Sequence, residues 1–123
     1  MKLGFAPKAY VYEKQDANNF ILNIDTVETI PTNNNQTKVL ITMEIKNNAG
    51  NTQDIGSIDF CLAANKEVYD IDTDSNAFGQ PVKAGETIMG DVTFVIPSKI
   101  KKANLAYKPS ETCLAEWHIS IKK

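Results

Sequence analysis

A chain of 123 residues, 42% hydrophobic and 23% charged, fits one ordinary globular domain that needs neither a metal nor a dense disulfide framework to fold. The formal net charge is −2, and all 13 basic residues are lysine. With no arginine fork and no net positive charge, the composition argues against sequence-specific nucleic-acid binding. No apolar run approaches the length of a transmembrane segment.

Met1 to Lys8 contains basic residues but no apolar export core, which leaves two locations open. The domain is extracytoplasmic, on the cell surface or secreted, if an export signal has been trimmed; otherwise it is cytoplasmic. Residues 1–18 read as an N-terminal extension or first strand, with Tyr10 and Tyr12 on one parity of Ala9–Lys14, and residues 19–123 as the main body. From there, short runs of period two succeed one another. Phe20, Leu22 and Ile24 alternate with Ile21, Asn23 and Asp25. Val39, Ile41, Met43 and Ile45 alternate with Leu40, Thr42, Glu44 and Lys46. Ile58, Phe60 and Leu62 alternate with Asp59 and Cys61. Ile88, Val92, Phe94 and Ile96 share one parity with Gly90 among them, where a glycine permits a bulge or a close approach. Leu105 and Tyr107 form a short strand, and Trp117, Ile119 and Ile121 alternate with His118 and Ser120.

Clusters of Asn, Asp, Gly and Pro separate these runs, as turn chemistry requires. They lie at Asp16–Asn19, Pro31–Asn35, Asn47–Asn51, Ala64–Lys66, Asp74–Pro81, Lys83–Gly85 and Lys108–Ser110. Ser98 to Ala103 reads as one helical turn capped by Ser98. Alternation of this kind wets one face of each strand and buries the other. The expected fold is all-β, an immunoglobulin-like antiparallel β-sandwich of about seven or eight strands, with barrel closure as the alternative. Val39–Lys46 and Ile88–Ile96 are its expected central strands.

Each chemical motif falls short of a site. Asp70, Asp72 and Asp74 alternate like the start of a calcium loop, but Ser75 replaces the turn glycine and Pro81 the closing carboxylate. They are weak metal candidates beside the reading of a solvated loop. Cys61 and Cys113 are too few for a zinc site. In an oxidising compartment they are expected to form a disulfide, contributing about 4 kcal/mol by closing a loop of about 50 residues. In a reducing one they remain free thiols. His118 is the single histidine; Glu116 shares its strand face, while Cys113 takes the other parity. No nucleophile elbow or phosphate loop is present, so no catalytic residue and no cofactor is expected.

The strand Val39–Asn48 ending in Lys-Asn-Asn, then Ile58–Leu62, then Val82–Pro97 with its Lys-Ala-Gly-Glu turn, then Ala103–Tyr107, form an ordered set. It resembles the telokin-like immunoglobulin-fold domains of uncharacterised Gram-positive lipoproteins and secreted proteins, the structural group of the mycobacterial immunoprotective extracellular protein. The resemblance spans Asn19 to the C-terminus. It implies a sandwich fold without established catalytic residues, usually behind an export signal and a polar linker. The expectation is a non-catalytic binding or accessory domain of a bacterial surface or secreted protein, engaging another protein through loops or a sheet edge. The alternative is a structural or accessory protein of a phage or mobile element.

Overall fold

Asparagine sets the corners of this fold. In the computed structural model, which describes residues 12–72 and 77–121, three pairs of consecutive residues hold positive φ: Asn18 and Asn19, Asn34 and Asn35, Asn65 and Lys66. Two adjacent left-handed residues make the turn whose twist matches that of a β-hairpin, and asparagine tolerates this region better than most side chains. Each pair joins two antiparallel strands. The first links β1 (Gln15–Ala17) to β2 (Phe20–Pro31), the second links β2 to β3 (Gln36–Asn47), and the third links β5 (Phe60–Ala64) to β6 (Glu67–Asp70).

The remaining strands are β4 (Gln53–Gly56), β7 (Gly79–Val82), β8 (Thr87–Pro97), β9 (Lys102–Tyr107) and β10 (Ala115–Ser120), with a 3-10 turn at Ser57–Asp59. One sheet runs β1-β2-β3-β8, a second β10-β9-β5-β6, and β4 and β7 form a two-stranded leaf. The pairings are antiparallel. The immunoglobulin-like antiparallel sandwich is present, with ten strands among the described residues in place of seven or eight.

The core lies between the two large sheets. Phe20, Leu22 and Ile24, then Val39, Ile41, Met43 and Ile45, then Val92, Phe94 and Ile96 face Phe60, Leu62, Leu105, Tyr107, Trp117 and Ile119. A bulge in β2 between Ile24 and Thr26 inserts Asp25 as an extra residue, so that Val27, not Thr26, turns inward beyond it. The buried tryptophan satisfies its indole by donating from Nε1 to the Glu13 carbonyl at 2.7 Å. Gln15 bonds both the N–H and the carbonyl of Glu116. The chain therefore enters beside β10 of one sheet and joins the other through β1.

Several expectations change. The first described strand is Gln15–Ala17, whereas Tyr12 to Lys14 are not strand, and Ala9 to Val11 lie outside the described residues. β3 is central, but β8 is the last strand of its sheet. Its free side is occupied from other elements: Asp72 N–H donates to the Thr93 carbonyl and Ser57 Oγ to the Asp91 carbonyl. No helical turn forms at Ser98–Ala103. Ile100 N–H closes a turn onto the Pro97 carbonyl at 3.1 Å, and the Ser98 hydroxyl bonds Thr37 Oγ1 across 2.8 Å instead of capping a helix. Gly90 lies inward with no register shift, so it marks a close approach: a Cβ there would stand 2.6 Å from the Phe78 ring.

Candidate functional site

The Ser57–Asp59 turn places an aliphatic side chain in water. Strand parity across residues 58–62 predicts an inward Ile58, yet Ile58 is 82% exposed. The reason is local. Gly56 N–H donates to Asp59 Oδ2 at 2.9 Å, which closes a turn of 3-10 geometry and resets the parity before β5 begins at Phe60. The turn is braced from beneath. Ser57, 1% exposed, exchanges its N–H with the Phe78 carbonyl, accepts Phe78 N–H on Oγ, and donates Oγ–H to the Asp91 carbonyl. A Cβ on Gly56 would stand 3.0 Å from the Phe78 carbonyl, so the backbones meet closely only because this residue is glycine.

Beside this turn lies an open depression of about 470 Å³, lined by Asp54, Ile55, Ile58, Asp59, Gln80 and Pro81. Asp54 pairs with Pro81 in the β4–β7 leaf, where a proline fits a short peripheral strand. Ile58 thus shares one open depression with the Asp54 and Asp59 carboxylates. The sequence reading missed Ile58, although the Gly56–Asp59 spacing is a legible turn signal.

The other candidates are dispersed. Asp70 ends β6 and is exposed, Asp72 is partly buried and leads toward β8, and Asp74 lies outside the described residues. Among the described residues no group of three His, Cys, Asp or Glu side chains is placed to hold a metal ion. His118 is exposed, with Nδ1 2.5 Å from Asn104 Oδ1 on the neighbouring strand. Cys113 donates its thiol to the Ala115 carbonyl at 3.3 Å. Cys61 and Cys113 are thiols in this structure, the first buried and the second exposed. Burial pushes the Cys61 thiol above its ordinary value; Lys108 opposes this, while Asp70, Cys113 and Glu116 reinforce it. No described helix is long and apolar enough to cross a membrane.

The described residues form an antiparallel β-sandwich with a two-stranded leaf. The chain belongs to the DUF4352 family, described as a domain of unknown function, whose model matches residues 10–115. Among solved structures it is similar to a candidate lipoprotein, ycdA, of Bacillus subtilis, with TM-score 0.70 and 17% identity, covering 92% of this chain and 39% of that one. The chain thus spans well under half of that lipoprotein's length. It is also similar to the yjhA protein of Bacillus subtilis, with TM-score 0.66 and 15% identity over 89% of this chain and 96% of that one. An uncharacterised β-sandwich protein from Clostridium difficile matches at TM-score 0.58 and 13% identity, over 98% and 100% of the two chains. A search of curated proteins finds no match.

Proposed function

We propose that this is a non-catalytic accessory domain working outside the cytoplasm of a bacterium, which docks another protein on the Ile58 end of the sandwich. The observation that carries this reading is Ile58 itself, 82% exposed on a turn whose flanking residues Gly56, Ser57 and Asp59 are hydrogen-bonded. An exposed aliphatic on a rigid support is a binding anchor with little ordering cost. Asp54 and Asp59 beside it favour a partner surface with an apolar hollow rimmed by lysine or arginine. The pairing of β1-β2-β3-β8 against β10-β9-β5-β6 supports a telokin-like immunoglobulin topology. The similarity to a candidate lipoprotein supports the location. The separation of His118 and Cys113 into unrelated hydrogen bonds supports a role without catalysis.

The test is a photo-crosslinking residue placed at position 58 in the native bacterium, with the same residue at Lys38 on the outward face of the other sheet as control. A discrete protein adduct at position 58 alone, in cells whose domain is removed by externally added protease, is the expected result. Adducts of equal yield at both positions, or none at 58, overturn the docking surface. Survival of the domain in protease-treated intact cells overturns the location.

A further inference from the structure

The outer edges of the two large sheets are not treated alike. The first sheet ends in β1, which has only three residues, and in β8, whose carbonyls at Asp91 and Thr93 accept bonds from Ser57 and Asp72. The second sheet ends in β10 and β6. On β10 the Gln15 side chain takes the N–H and the carbonyl of Glu116, as a neighbouring strand would. Among the described residues, no strand pairs with the outer side of β6. An edge left open in this way is a template for another strand.

The ladder fixes which groups β6 presents. Glu116 turns its backbone to Gln15, so Ala115 and Trp117 bond β9 at Tyr107 and Leu105. By the same alternation Ala106 and Asn104 bond β5 at Cys61 and Ala63, and Leu62 and Ala64 bond β6 at Tyr69 and Glu67. Val68 and Asp70 are left with N–H and C=O directed away from the sheet. The Val68 side chain, beside Ala63 on the outward face, is 61% exposed. Lys66 and Asp70, two residues before and after it, are both exposed.

We propose that β6 pairs with β6 of a second copy, antiparallel about a two-fold axis at Val68, so that two four-stranded sheets become one of eight strands. Residues that face each other across an antiparallel ladder share one hydrogen-bonding type, so Val68 meets Val68 as a bonded pair. This register covers the exposed valine with its own copy and sets Glu67 opposite Tyr69. It also brings Lys66 of each copy beside Asp70 of the other, whereas an axis at Tyr69 would set Asp70 opposite Val68. A strand of four residues makes a small interface, below the about 1,000 Å² of stable complexes, so the association is expected to be weak and reversible. It does not rest on the docking reading of Ile58, which lies in the turn before β5.

Sedimentation of the full chain at low salt, with concentration raised to about 1 mM, supplies the test. The mass is expected to climb from one chain toward two. Amide hydrogen exchange at Val68 and Asp70 is expected to slow over the same range, while the Trp117 amide, already bonded within the sheet, stays unchanged. Asp70→Lys is expected to weaken association about tenfold, because two attractions become two repulsions. Adding Lys66→Glu to that variant is expected to restore it. A single-chain mass throughout, a dimer whose Val68 and Asp70 amides exchange as in the monomer, or no recovery in the double variant overturns the pairing.

Discussion

At Asn47 the side chain is wholly buried and every polar atom is used. Its Nδ2 donates to the carbonyls of Asn51 and Val82 at 2.8 Å each, and its Oδ1 accepts Ala49 N–H at 2.8 Å. Its backbone closes onto Glu86 and Gly85. One amide thus joins the end of β3 to the end of β7 and to the turn before β8. Asn47→Ala leaves the buried Val82 carbonyl and two part-buried groups without their partner and is expected to cost about 1–3 kcal/mol, read as a lower urea midpoint with unchanged slope. The sequence marks Asn47 as a turn residue, and that much is legible in it. Its bond to Val82 is not, because that partner lies 35 residues away. Lys66 is the opposite case. It holds φ 68° in a two-residue hairpin with no glycine to relieve it. Lys66→Gly is expected to stabilise by about 0.5–1 kcal/mol, since the left-handed region costs an ordinary side chain more than glycine loses in entropy. A melting temperature at or below the parent's would contradict this.

At the scale of elements, alternation locates the long strands and fails on the short ones. Phe20–Ile24, Val39–Ile45, Val92–Ile96 and Trp117–Ile121 bury the parity they advertise. The strands β4, β6 and β7 give no such signal. They have four residues each, they lie at the margins, and they contain Gly or Pro or few buried side chains. Pairing, not local propensity, makes them strands. The same limit hid Ile58, because one turn of 3-10 geometry breaks the parity on which the reading of Phe60 and Cys61 relied. Cys61 takes the outward direction that its alternation with Phe60 gives, yet it is only 9% exposed. Gly90 shows how two elements lock. The Phe78 ring lies against β8 where a side chain is missing. Gly90→Ala is expected to displace that ring and cost about 1–3 kcal/mol. In a double-mutant cycle, Phe78→Ala is expected to cost less on the Gly90→Ala background than on the parent, because the displaced ring has already lost its seat. Additive costs would show that the ring and the glycine are energetically independent.

Across the whole molecule, the two sheets share a core that holds neutral polar groups as well as hydrocarbon. Tyr107 stacks at 5.2 Å from Phe60, and its hydroxyl accepts a bond from Asn18 Nδ2 at 3.1 Å, so the first hairpin reaches the second sheet. Burial raises the Tyr107 phenol above its ordinary value, against the lowering effect of the Asn18 bond and with a further push from Asp59. Burial does the same to the Cys61 thiol. In both cases the folded state resists ionisation and the unfolded chain does not. Below the ordinary values of 9.0 for the thiol and 10.0 for the phenol, both states hold the proton and stability is fully retained. As pH rises above them, the unfolded chain releases protons that the folded one keeps, and stability falls. The reduced protein is therefore expected to melt at a constant temperature from neutral pH to near the thiol value, then to decline in two stages. Removing the thiol isolates the first stage: Cys61→Ala is expected to begin its decline only near the phenol range. Identical alkaline profiles for the two proteins would mean that the Cys61 thiol ionises as readily in the fold as out of it.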